Sequence, residues 1–257
     1  MRALRLGTAV LVFLTAATVA AEAQTYGRLR WDGVGNSFVN TYRRNGSSVS
    51  VYGGSAYKAR LNINNPTWGL PPSGQNGAFG PSVDIYCVDF LHAANTGTYN
   101  VWFTRLGVDG LTRTRSTNLT AYLKAAWLLQ QMDIKPITDQ VARSDIHAAV
   151  WHMMSGQPTS VRHGSTWTAA GMNYWIAQAN ANYNDGSVIA NQWSVVTDAC
   201  VSSGGTAGTG HNNVPSDSCA QEFLTRNVVP EPATVILLGT GLLATLALTG
   251  VMRRPEA

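Results

Sequence analysis

The sequence predicts an α+β protein: a strand-rich β-sandwich or partial barrel with an inserted helical block, plus one C-terminal transmembrane helix. Three observations predict it. Residues 47–52 (SSVSVY) and 98–106 (TYNVWFTRL) alternate polar and apolar side chains between Gly and Asn, the period-two pattern of half-buried strands. Residues 119–183 hold three stretches of helical composition, and residues 233–252 form one uncharged apolar run. Strands, then helices, then a strand argue for α+β and against alternating βαβ units.

The elements follow in order. Residues 65–81 are punctuated by prolines and glycines and read as loop. Leu119 to Met132 is rich in Ala and Leu and stops before Pro136; Asp139 to Met154 is a second helix, ended by Ser155-Gly156. Its expected core face carries Val141, Ile146, Ala149, Val150 and Met153. A third helix is predicted over Thr168 to Tyr183, and Asn191 to Thr197 (NQWSVVT) reads as the closing strand.

The two ends carry addresses. Arg2 and Arg5 precede an uncharged apolar stretch from Leu6 to Val19, and Ala21-Glu22-Ala23 fits a small-x-small cleavage site. Residues 1–23 therefore read as a signal peptide, cut by signal peptidase, with an ectodomain over 24–226 and a tail over 227–257. The tail holds Pro230-Glu231-Pro232, the apolar span 233–252 and Arg253-Arg254; basic residues after the span belong on the cytoplasmic side, which leaves the body outside. The formal charge is +4, and the body over 24–226 carries about +3 of it with no Lys/Arg run. Nucleic-acid binding, which needs clustered cations, is set aside.

Pro-Glu-Pro, an apolar span and a basic end resemble the PEP-CTERM sorting signal. That resemblance implies processing by an exosortase in the inner membrane of a Gram-negative, exopolysaccharide-producing bacterium. It also implies transient anchoring there, delivery to the cell surface or matrix, and exopolysaccharide or surface components as partners.

Three cysteines take unequal roles. Cys200 and Cys219 flank a Ser-, Gly- and Asn-rich segment; a disulfide closing it would contribute roughly 3 kcal/mol. Cys87 is left over, in Tyr86-Cys87-Val88-Asp89. With Ala126-Trp127-Leu128 and His147-Ala148-Ala149-Val150-Trp151, that segment resembles the thioester domain of bacterial surface adhesins. The resemblance implies a strand-borne cysteine at Cys87 and a helix-borne partner at position 147, joined as an internal thioester. Here position 147 is His, which has no carbonyl to acylate a thiol. Gln140 stands about 10 Å away along the helix, and Gln130 and Gln131 belong to another helix.

The expectation is therefore an adhesion or matrix structural protein without a working thioester, and with no cofactor. Three readings of Cys87 and His147 stay open: a thiolate–imidazolium nucleophile, a metal site with Asp89 or His92, and a vestigial buried pair. Trp31, Trp68, Trp102, Trp167, Trp175 and Trp193 read as core, with sugar stacking as the alternative. No G-x-S-x-G elbow is present, and His152 and His163 lack metal-ligand spacing.

Overall fold

The computed structural model describes residues 25–63, 79–94, 96–199 and 219–226. The signal peptide, residues 65–78 of the expected loop (with Trp68), Cys200 and the whole sorting tail, with its span, lie outside the described residues.

Six strands close into an antiparallel barrel: β1 (Thr25–Gly33), β4 (Tyr57–Ile63), β5 (Ser82–Cys87), β6 (Thr98–Arg105), β9 (Trp193–Asp198) and β10 (Phe223–Arg226). Their order around the wall is β1-β4-β5-β10-β9-β6. The expected partial barrel is thus a closed one. The closing strand is β10, which the sequence reading missed: Phe223 pairs with Cys87 of β5 on one side and Val196 of β9 on the other. Closure leaves no open edge to template aggregation. Inward-pointing Leu29, Ala59, Ile85, Val101, Phe103, Val196 and Phe223 fill the interior. Burying each large side chain among them contributes about 1.5–3 kcal/mol.

A second sheet runs β3-β2-β7-β8, built from β2 (Phe38–Arg44), β3 (Ser47–Gly53), β7 (Ser160–His163) and β8 (Thr166–Thr168). Between barrel and sheet comes the helical block: α1 (Leu119–Ile134), α2 (Gln140–Ser155) and α3 (Ala170–Asn182). Asn118 and Asp139 cap α1 and α2 by accepting from the backbone N–H groups of Ala121 and Ala142. Gly156 ends α2 in the left-handed conformation. Of the expected closing strand, Asn191 and Gln192 lie instead in a 3₁₀ turn (Ala190–Gln192) ahead of β9.

Helix α2 corrects a simple amphipathic reading. Ile146, Ala149 and Val150 are fully buried, but Val141 is 55% exposed in the first turn. Every residue from Arg143 to Trp151 is buried, polar ones included. Packing by α1 and α3, with β7 and β3 also in contact, leaves the middle of α2 no wet face. Arg143 survives there because its guanidinium donates to three backbone carbonyls: Gly54 at 2.6 Å, Met132 at 2.6 Å and Lys135 at 2.8 Å. It ties the end of α1 and the turn after β3 to one helix. Arg143→Met keeps the volume and removes the donor from all three carbonyls, of which only that of Met132 retains another, the Lys135 N–H. It lowers stability by about 3 kcal/mol or more, read as a lower urea midpoint at unchanged slope.

Candidate functional site

Strand β5 ends at Cys87, whose backbone carbonyl turns toward α2. Two donors one helical turn apart meet it: His147 Nε2 at 2.8 Å and the Trp151 indole N–H at 3.0 Å. The other imidazole nitrogen, Nδ1, accepts from the Gly54 N–H at 2.8 Å, which assigns the proton to Nε2. Gly54 reaches that position with φ +71°, and a Cβ on Gly53 would lie 3.0 Å from Trp151 and 3.2 Å from His147. The Gly53-Gly54 pair is what lets β3 lie this close to the helix.

The resemblance placed Cys87 beside His147, and the two do meet, although the imidazole bonds the carbonyl. Burial strips hydration from the imidazolium and the Arg143 guanidinium repels it, pushing His147 down to about 4 against a smaller opposing effect of the Cys87 bond. Burial, reinforced by Asp89, pushes the Cys87 thiol well up. Both groups are neutral near pH 7, which is the opposite of a thiolate–imidazolium pair.

The thiol has other partners. Cys87 Sγ lies 2.9 Å from the Gln221 side-chain oxygen and 3.2 Å from the Asp89 carbonyl. The first distance is that of an ordinary N–H···O bond, although sulfur is the larger atom. Gln221 stands 134 residues from Cys87 in the chain, just ahead of β10. Its backbone N–H donates to Ala93 at 3.1 Å, and the Val88 N–H donates to the Glu222 carbonyl at 3.0 Å. Sequence reasoning weighed Gln130, Gln131 and Gln140 and passed over Gln221. Its only local signal was its position before the short apolar pair Phe223-Leu224.

Glu222 points away from the thiol and locks the segment. Its carboxylate accepts from the Tyr122 hydroxyl at 2.5 Å, the Thr197 hydroxyl at 2.7 Å and the Arg115 backbone N–H at 2.8 Å. Burial raises its carboxyl above the ordinary range, opposed by those three donors.

Asp89 and His92, the alternative metal ligands, do meet: His92 Nδ1 is 2.5 Å from Asp89 Oδ2. Arg115 is the third member of that cluster, its Nε 2.9 Å from the same carboxylate oxygen. A guanidinium occupies the place a cation would take. Among the described residues, no group of three or more His, Cys, Asp or Glu could hold a metal ion.

Cys219 is buried, at 2% exposure; its expected partner Cys200 lies outside the described residues. Trp193 is core as expected, Trp31 packs partly buried against Tyr57, and Trp167 and Trp175 are covered by Arg43 and Lys135. His163 pairs with Asp145 at 2.9 Å, and His152 bonds the Pro158 carbonyl.

Residues 228–254 match the PEP-CTERM protein-sorting motif, which includes Pro230, Glu231, Pro232, Arg253 and Arg254. No curated protein and no solved structure matches the chain.

His147 makes stability pH-dependent in a defined direction. Its ring stays neutral when folded and protonates near 6.5 when unfolded, so the unfolded chain takes up the extra proton. The contribution, about 3 kcal/mol, is present above pH 6.5 and lost as pH falls toward 4. His147→Gln keeps an acceptor for Gly54 and a donor for Cys87 but does not titrate. The stability difference between wild type and this variant, followed from pH 7 to 4, shrinks by that amount in favour of the variant.

Proposed function

We propose that this exported, exosortase-sorted protein is a surface attachment protein whose barrel carries an internal thioester between Cys87 and Gln221. Export and exosortase processing rest on the sorting motif at 228–254. The attachment chemistry rests on one observation: a buried thiol 2.9 Å from the oxygen of a buried carboxamide, on segments held by neighbouring barrel strands. The thioester-domain resemblance assigned the acyl partner to position 147. The geometry supports Gln221 in its stead, with His147 as the residue that fixes the cysteine backbone.

The bond balances without a cofactor. Cys87 Sγ attacks the Gln221 side-chain carbon, the C–N bond breaks, and ammonia departs with the thiol proton. Once formed, the thioester is protected by burial, Cys87 being 1% and Gln221 6% exposed. The same burial that raises the thiol makes a free thiolate a poor leaving group. The acyl bond therefore waits for an incoming nucleophile at the surface or matrix to which the sorting tail delivers the protein. The Cys200–Cys219 disulfide is part of this proposal. It would tether the stretch two residues ahead of Gln221, and non-reducing digestion with mass spectrometry detects it as one linked peptide.

Intact mass tests the thioester. The wild-type chain weighs about 17 Da less than its sequence, the mass of one ammonia. Cys87→Ala and Gln221→Ala each show no such loss. A wild-type mass equal to the sequence mass overturns the proposal.

A further inference from the structure

A cavity of about 340 Å³ opens on Gln221. Trp31, Val51, Tyr52 and Tyr57 form its apolar wall and His92 its polar one, with Ser50 and Thr96 as hydroxyl-bearing residues. Its size is that of a small-ligand site. Trp31 and Tyr57 pack at 5.0 Å between ring centroids, and Tyr52 keeps 47% of its surface exposed. No carboxylate lies on the lining. Behind it, the Asp89 carboxylate is already taken by His92, by Arg115 and by the Leu91 N–H.

We propose that this cavity is the acceptor site, that it receives a sugar hydroxyl stacked on its aromatic wall, and that His92 is the base that activates it. The inference rests on the thioester reading. An unprotonated amine attacks a thioester unaided, whereas a hydroxyl needs its proton removed in the transition state. His92 is equipped for that. Its Nδ1–H is engaged by the Asp89 carboxylate, which sets the tautomer and leaves the basic lone pair on Nε2. That lone pair accepts from Arg115 Nη1 at 3.4 Å, a long bond that an entering hydroxyl replaces. His92 adjoins Ala93, whose carbonyl accepts from the Gln221 backbone, so base and acyl carbon are carried on neighbouring backbones. An entering ammonium finds no free counter-charge on this wall, while an uncharged sugar ring finds aromatic faces.

The step balances. The hydroxyl oxygen attacks the acyl carbon of Gln221, its proton passes to His92 Nε2, the C–S bond breaks, and the proton returns to Cys87 sulfur. The product is an ester of the sugar and a free thiol.

Full-length protein purified in detergent is incubated with methyl glucoside or with methylamine and followed by intact mass. Wild type gains one sugar mass. In His92→Gln the ratio of sugar-adduct to methylamine-adduct rate falls about a hundredfold, the scale of general-base catalysis. Tyr52→Ala, at an exposed position, raises the sugar concentration needed for half-maximal rate several-fold. A wild type that takes methylamine and no sugar overturns the hydroxyl acceptor and leaves the thioester standing. An unchanged ratio in His92→Gln overturns the assigned base. A wild type without the ammonia loss overturns both readings.

Discussion

One backbone oxygen organises this molecule: the carbonyl of Cys87, which takes two hydrogen bonds from α2, from His147 and from Trp151. Both of its lone pairs are used, so β5 is pinned to the helical block where its barrel ladder ends. A buried carbonyl with both donors in place is a rigid joint, since withdrawing either leaves an unpaired polar group in a dry interior. Around it the Tyr42, Phe90 and Trp151 rings pack at tilted and edge-on angles, with centroids 4.9–5.8 Å apart. The cysteine side chain is therefore presented from a fixed backbone.

Three buried polar clusters extend that joint. Arg143 ties α2 to the end of α1 and to the Gly54 turn. Asp89, His92 and Arg115 fix the loop that follows Cys87. Glu222, held by Tyr122, Thr197 and the Arg115 backbone, fixes the segment that brings Gln221 up to the thiol. Each is costly to bury and each is satisfied by several partners, the condition under which such networks rigidify a core. Their shared consequence is that Cys87 and Gln221 meet inside a frame with little freedom to separate, which is what an intramolecular acyl transfer requires.

Burial also sets the chemistry. In a site this dry, His147 stays neutral and Cys87 keeps its proton, so a free activated nucleophile is disfavoured while a neutral acyl–sulfur bond is tolerated. The exposed mouth lies on the Gln221 side, beside Trp31 and Tyr52. The proposed thioester would be hidden on its sulfur side and reachable on its acyl side.

The sequence by itself determined what is local. The sorting motif, the helices over 119–154 and the strands at 47 and 98 were legible because apolar runs, caps and side-chain periods repeat within a few residues. It also brought Cys87 to His147, through motif resemblance. Only the tertiary structure decided that the barrel closes, that His147 holds a carbonyl, and that the carboxamide at the thiol belongs to Gln221. Strand β10 is four residues long and finds its partners 136 residues upstream and 27 residues upstream, Phe223 against Cys87 and Val196. Pairing across such a distance is chosen by closure of the barrel and burial of its interior, and leaves no periodic trace in the chain.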